Sequence, residues 1–365
     1  MIREPSTSCS MGPVAIEVFA GAGGAGLGLT WAGFDTRVAV EIDATKAATY
    51  ALNHPGTRVL GADGTCGDVR RVTGKDLASV AEIDDTQPDL LVGCPPCQGF
   101  SVGGKRDPND PRNRLYLEFV RLAGELRARS VVFENVPGFV SLHDGIFFRD
   151  LKSRLEKIGY KTAVWFLQAS DLGVPQTRMR VFVVGIRDKA PGAPPPRKRG
   201  PKTNVWDSIA DLPVAGPREK GAPSAFLSYR GPPRSAYAAF LRGQNVKVDS
   251  CERTRHEPGL VERFRAMRWG EMDQPTRHRR LHPYRPAPTI TAGTRDSTSC
   301  RPVHPYANRV LTVREAARLA SFPDWYEFPP LIAESWSEIG NCVPPLMAQA
   351  VFGSVNSFLA SRQTS

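Results

Sequence analysis

The chain is 365 residues long and 41% hydrophobic, with 48 Lys and Arg against 37 Asp and Glu for a formal net charge of +11. That length buries a sizeable core without staples and implies two domains or one domain with a large insertion, while the positive balance suits a polyanionic partner. Seven scattered cysteines, an odd number, and an opening Met-Ile-Arg-Glu-Pro-Ser-Thr without the apolar core of a signal peptide lead us to expect neither a disulfide framework nor secretion. No apolar run approaches the roughly 18–20 residues that span a bilayer. A reduced, cytoplasmic chain is expected.

In chain order, the dense apolar run Val14 to Phe19 predicts a buried strand that enters a glycine loop and then a helix. Val38 to Glu41 predicts a second strand and Leu90-Leu91-Val92 a third, which ends in Gly93-Cys94-Pro95-Pro96-Cys97. Asp110-Pro111 supplies an N-cap and first-turn proline for a helix carrying Leu115, Phe119, Leu122 and Leu126. Ser130 to Phe133 and Val181 to Val184 predict further strands. Strands alternating with helices imply an α/β, doubly wound, mostly parallel sheet covered on both faces, with ligands beyond the carboxyl ends of its strands.

The pattern breaks at the proline-rich basic run 189–202, which can be neither helix nor central strand. Beyond it lies a loop-rich segment in which Arg253, Arg255, Arg263, Arg265, Arg268, Arg277, Arg279, Arg280 and Arg285 are interleaved with Trp269, Tyr284 and histidines. A solvated face would mix in lysines and matching acids; arginine in this excess binds phosphates and guanine edges through its two-pronged fork. Thr312-Val-Arg-Glu315 predicts a capping box, and a final apolar helix from about Pro344 to Leu359 is expected to dock back onto the first domain. The boundaries expected are 1–189 for the first part of the catalytic and cofactor-binding domain, 190–300 for linker and second domain, and 301–365 for a return segment completing the first.

Gly21, Gly23 and Gly26 form G-x-G-x-x-G between strand and helix, and Glu41 follows 20 residues after Gly21 at the end of the next strand. Glycines admit close backbone approach and the acid suits ribose hydroxyls, so a nucleotide-like cofactor is expected, with NAD and S-adenosylmethionine both open. Cys94 and Cys97 by themselves leave several readings. Zinc would need four ligands and no second C-x-x-C accompanies them; a redox pair would open a helix, whereas Gly99, Gly103 and Gly104 prolong a loop; a stiff strand exit and a mount for one thiol remain. Glu134 leaves its strand at the sheet edge where Cys97 is expected, which makes a candidate site. Strand alternation would point Arg178 and Arg180 the same way, toward an anionic backbone or a carbonyl.

In order and spacing the chain resembles the DNA (cytosine-5) methyltransferases of bacterial restriction-modification systems. The resemblance rests on Phe-Ala-Gly-Ala-Gly-Gly from Phe19, Glu41-Ile42-Asp43, Pro95-Pro96-Cys97, Glu134-Asn135-Val136, Gln176-Thr177-Arg178-Met179-Arg180, the run 285–293, the run 311–324 and Gly340-Asn341. It implies a fold built for S-adenosylmethionine, a smaller target-recognition domain between Arg180 and Arg285, and double-stranded DNA as substrate. The resemblance also implies a monomer, and a cognate restriction endonuclease acting on the same site without direct binding. By the same resemblance Cys97 is the nucleophile, assisted by Glu134, Arg178 and Arg180, and Cys94 is a packing residue. Phe19, Ala22, Gly24, Glu41, Ile42, Asp68, Pro96, Leu115 and Asn341 would hold the cofactor, with no metal. The spacing around the adenine-binding aspartate departs from the family's, which favours Asp68 but keeps Asp63, and Trp336 stands where tyrosine is common. The segment from Ser101 to Asp110, with Lys105 and Arg106, would close over DNA. A transfer-RNA methyltransferase would carry a Cys-Phe-Thr signature that is not found.

Overall fold

The computed structural model describes residues 12–83, 87–96, 110–217, 219, 222–292 and 301–361. Cys97 and the closing segment from Ser101, with Lys105 and Arg106, lie outside the described residues up to Asp110. The chain divides into two units.

The first unit runs to Gln168 and takes in Met179–Pro196 and the chain from Ala348. Its elements are β1 (Val14–Val18), α1 (Gly24–Trp31), β2 (Asp35–Val40), α2 (Ala44–Asn53), β3 (Arg58–Leu60), α3 (Gly74–Val80), β4 (Leu90–Gly93), α4 (Tyr116–Leu126), β5 (Ser130–Asn135), α5 (Gly138–Ser141), α6 (Ile146–Lys157) and β6 (Lys161–Gln168). The two-residue β7 (Gln176–Thr177) belongs to the other unit, and β8 (Met179–Ile186) returns to this one. Seven strands form one sheet in the order β3-β2-β1-β4-β5-β8-β6. Neighbours from β3 to β5 are parallel, and β8 is antiparallel to both β5 and β6. This is the doubly wound, mostly parallel architecture expected. Its central strands are buried on both faces because helices cover both, which is why β4 and β5 read as unbroken apolar runs. Val38, Leu91, Phe119, Phe133 and Leu151 lie in one core.

The last helix, α12 (Pro345–Ala360), forms where it is expected, and from Ala348 it belongs to this unit. Gln349 donates to the Trp31 carbonyl at 3.3 Å and Asn356 to the Ala32 carbonyl at 2.9 Å, tying the helix to the end of α1.

The second unit comprises 169–178 and 197–347. It holds α7 (Val205–Ile209), β9 (Leu227–Ser228), α8 (Ala236–Arg242), β10 (Lys247–Val248), α9 (Pro258–Ala266), β11 (Ala287–Pro288), α10 (Val313–Leu319) and α11 (Ile332–Asn341), and is loop-rich as expected. The division differs from the expected boundaries. Residues 301–347 were expected to complete the catalytic domain, but they belong to this second unit. The cause is α10, every residue of which is buried. It has the predicted capping box between Thr312 and Glu315. Its charged side chains are held internally: Arg318 pairs with Asp211 at 2.5 Å and Asp324 at 2.6 Å, Arg314 pairs with Asp249, and Glu315 takes Arg309 at 2.7 Å. Buried charges demand such partners, and Asp211 and Asp249 come from the 190–300 segment. Between α11 and α12, Cys342-Val343-Pro344 separates helices of 10 and 16 residues.

Candidate active site

The sheet brings three loops together. Strand order reverses at β1, with β2 and β3 on one side and β4 and β5 on the other, and a crevice at such a switch point is where doubly wound sheets bind ligands. Val18 lies opposite Gly93, and Gly93 opposite Phe133. The chain therefore leaves β1 at Phe19, β4 at Cys94 and β5 at Glu134 and Asn135 on the same edge. The Cys94 N–H donates to the Val18 carbonyl at 3.4 Å, and the Asn135 amide reaches the Pro95 carbonyl at 3.5 Å. The exit of β4 is thus tethered to both neighbours.

On the β1 side, Phe19 and Gly21 adopt positive φ, at 57° and 59°, and α1 begins at Gly24. Ala22 is buried. A side chain at Gly21 would point into open space, and at Gly26 it would strike the Tyr50 hydroxyl. One glycine leaves the loop open for a ligand, and the other lets α1 settle on the strand layer. Glu41, buried at the end of β2, accepts the Gly21 N–H at 2.8 Å through one carboxylate oxygen and the Asp43 N–H at 2.9 Å through the other. Ile42 is 65% exposed beside it, an apolar face without protein cover. An acid beside an open glycine loop and a bare aliphatic face form a cradle with both polar and apolar walls. The Glu41 carbonyl lies where a Cβ on Gly67 would fall, which places Asp68 next to this cradle. Asp68 is bonded by Arg70 at 2.7 Å, and this hydrogen bond holds its carboxyl below the ordinary range. Asp63 faces outward to Thr65 at 2.8 Å and Arg58 at 3.3 Å. Leu115 is half-buried at the start of α4, and Pro96 is exposed.

On the β5 side, Glu134 is 7% exposed and its carboxylate meets the Arg180 guanidinium at 2.9 Å. Phe182 lies opposite Glu134, so Arg180, two residues away on β8, shares its face of the sheet. Cys94 is surrounded by burial and by the Glu134 and Glu17 carboxylates, which push its thiol well up and keep it protonated; this suits a packing role.

The two arginines of the QTRMR run part company. Arg178 was expected to follow Arg180 by strand alternation, but the chain leaves the strand pattern at Arg178, between β7 and β8. Its guanidinium is buried in the second unit, where it donates to the Ile290 carbonyl at 3.0 Å and the Gly340 carbonyl at 2.9 Å. It braces the 285–293 run and the Gly340 turn. Asn341, the last residue of α11, is in the same unit, with its amide 3.4 Å from the Ser337 hydroxyl.

Glu17 went unread in the sequence, although an acid inside an otherwise apolar strand is a signal. It is fully buried in β1, accepts the Tyr50 hydroxyl at 2.8 Å, and its other oxygen has no hydrogen-bond partner among the described residues. Burial, with a smaller contribution from Glu41, raises its carboxyl to about 8. Nearby, His54 places Nε2 3.2 Å from the Gly23 carbonyl, and burial lowers its ring to about 4, so it is neutral.

In the second unit the arginine-rich segment divides. Arg263 pairs with Asp273, Arg265 with Glu262 at 2.7 Å, Arg279 donates to the Gly270 carbonyl at 2.7 Å, and Arg280 is buried among carbonyls. Arg253, Arg255, Arg268, Arg277 and Arg285 are exposed. Beside Arg268 and Arg285, Trp269 and Tyr284 have ring centres 6.1 Å apart, and Tyr306 lies 5.7 Å from Trp269; all three are exposed.

Comparison with known proteins agrees with this arrangement. Residues 14–357 match the model of the C-5 cytosine-specific DNA methylase family. The chain is 35% identical to the type II methyltransferase M.XorII of Xanthomonas oryzae pv. oryzae, over 96% of this chain and 86% of that one. It is 34% identical to M.DdeI of Desulfomicrobium norvegicum, over 92% and 86%. Among solved structures, a prophage-encoded E. coli protein described as a DNA modification methyltransferase superposes with a TM-score of 0.83 at 29% identity, covering 95% of this chain and 99% of that one. The Dnmt2 methyltransferase of S. pombe shares the fold at a TM-score of 0.62 and 17% identity, over 96% and 98%.

Proposed function

The chain belongs to the C-5 cytosine-specific DNA methylase family, as a DNA (cytosine-5-)-methyltransferase of the restriction-modification type, and from that premise we propose that it uses S-adenosylmethionine to methylate a cytosine rotated out of double-stranded DNA, through a transient bond between Cys97 and C6. The observation that carries this reading is the shared exit of β1, β4 and β5, which sets the glycine loop, the Pro95-Pro96 turn and the paired Glu134 and Arg180 on one sheet edge.

S-adenosylmethionine supplies an electrophilic methyl group on a sulfonium. The Glu41 carboxylate is positioned to take the ribose hydroxyls in exchange for backbone N–H groups, Ile42 and Phe19 to pack on the flat ring, and Asp68 to accept from the adenine amino group. Ala22, Gly24, Leu115, Pro96 and Asn341 complete this proposed set.

Cytosine C5 is a poor nucleophile, and in a duplex it is hidden in the stack, so the base must first be extruded. The Cys97 thiolate would add to C6, the C5–C6 double-bond electrons would move to C5, and C5 would take the methyl group as its bond to the sulfonium breaks and a neutral thioether leaves. A base then removes the C5 proton, the double bond re-forms, and the S–C6 bond breaks to regenerate Cys97. Glu134 holds the N3 and exocyclic amino edge, favouring protonation at N3 and hence electron flow into the ring. Arg180 orients Glu134 and faces the O2 side. Pro95 and Pro96, fixed in φ and tethered through Asn135, restrict the loop that carries the sulfur.

Expression in a host that lacks DNA methylation, followed by sequencing for 5-methylcytosine, tests the reading. Methylation at C5 within one short sequence is expected. Unmodified DNA in the presence of folded protein and cofactor would contradict it.

A further inference from the structure

Among the described residues of the second unit, the buried arginines are Arg178, Arg280, Arg301, Arg309, Arg314 and Arg318. Arg309, Arg314 and Arg318 have carboxylates, while Arg178 and Arg280 are surrounded by backbone carbonyls. Arg301 has neither. It is 7% exposed, and its guanidinium lies 5.0 Å from the centre of the Trp336 ring. Burial, with no acid to oppose it, lowers the guanidinium to about 10. The indole N–H of Trp336, in a side chain only 1% exposed, also has no acceptor among the described residues. His256 and His278, whose rings burial lowers, bring no carboxylate to it, and His278 meets Arg301 at its backbone carbonyl, at 2.8 Å. A nearly enclosed cation beside an unmatched donor is costly unless an anion supplies acceptors.

We propose that Arg301, seated over Trp336, is a binding group for a phosphate of the DNA backbone. A phosphodiester offers the charge and the paired oxygens that a guanidinium fork accepts. The same unit exposes Arg253, Arg255, Arg268, Arg277 and Arg285, so its chemistry is directed at a polyanion. The assignment rests on the DNA reading above and adds a phosphate contact apart from the exposed arginines.

The test measures DNA affinity from about 50 to 200 mM salt for the full chain, Arg301→Gln and Arg301→Lys. Each phosphate contact contributes about 0.9 to the slope of log affinity against log salt. Arg301→Gln is expected to weaken binding about tenfold, to reduce that slope by about one for every DNA sequence tried, and to raise KM for DNA without changing KM for the cofactor. Arg301→Lys, which keeps the charge, is expected to recover most of the slope. Thermal unfolding with inorganic phosphate as the only added anion separates the sources. A stabilisation by phosphate that Arg301→Gln abolishes, with an unchanged DNA slope, assigns the site to a free anion and overturns the proposal. So does a lowered unfolding midpoint in both variants with unchanged slopes, which would make Arg301 a packing group. If the unaltered protein bound no DNA, the functional reading would fall and take the DNA source with it; an unchanged slope in a protein that methylates DNA would overturn the Arg301 assignment alone.

Discussion

Arg180 and Glu134 face each other across β8 and β5, 2.9 Å apart, with only 12% and 10% of their side chains exposed. Removing one partner of an enclosed pair leaves a charge short of its counter-ion, at a cost of about 3–5 kcal/mol. Arg180→Met is therefore expected to lower the unfolding midpoint clearly, and Glu134→Gln to slow single-turnover methyl transfer by ~10²–10⁴-fold, the range for a lost proton-handling group. DNA affinity should change only a few-fold in Glu134→Gln. A variant that kept its rate but lost DNA binding would remove Glu134 from the chemistry.

Glu41 closes the glycine loop through two backbone hydrogen bonds. Hydrogen bonds to a charged group contribute about 1.5–3 kcal/mol, so Glu41→Gln should weaken S-adenosylmethionine binding by roughly one to two orders of magnitude. Calorimetric titration checks this; an unchanged dissociation constant would place the ribose elsewhere.

Gly26 and Gly21 separate packing from ligand access. Gly26→Ala sets a methyl group against the Tyr50 ring and the Glu17 carboxylate, an overpacking expected to cost about 1–3 kcal/mol. Gly21→Ala meets open space and suffers only its left-handed φ of 59°, about 1–2 kcal/mol, yet it should reduce cofactor affinity more than Gly26→Ala does. Denaturation curves paired with cofactor titrations would show the reverse order if the loop did not face the ligand.

Glu17 should impose a pH dependence on stability. Its carboxyl lies at about 8 in the folded protein against an ordinary 4.5. Between those values the folded state holds a proton that the unfolded state has released. The stabilising contribution is therefore complete below the ordinary value and is lost as pH rises through the folded one. Relative to Glu17→Gln, the unaltered protein should lose up to ~1.4 kcal/mol per pH unit across that window and run parallel on either side. Midpoints that stayed parallel throughout would show that Glu17 does not carry a proton in the fold.

How much of this was legible in the sequence follows from how local each cause is. Strands β1, β2, β4 and β5 and the glycine loop after β1 could be read because a sheet covered on both faces needs continuous apolar runs, and a close approach needs glycine; the three-residue β3 was too short to show such a run. Arg178 could not be read. The chain turns between Thr177 and Met179, where the Arg178 carbonyl accepts the Ala169 N–H, and alternation fails once a strand stops. The allegiance of 301–347 was hidden because it depends on ion pairs between distant residues, Arg318 with Asp211 across 107 positions. For the same reason the arginine-rich segment looked uniformly available, although Arg280 is enclosed among the His304, Pro305 and Phe264 carbonyls.

The central claim is a covalent bond from Cys97 to the cytosine ring, and trapping tests it most directly. DNA carrying 5-fluorocytosine at the methylated position has no C5 proton to release, so the S–C6 bond cannot break once the methyl group is transferred. With S-adenosylmethionine present, a complex that survives denaturation is expected, with the modified peptide mapping to Cys97, and Cys97→Ser should form none. Methyl transfer without any such complex, or a complex retained in Cys97→Ser, would contradict the account.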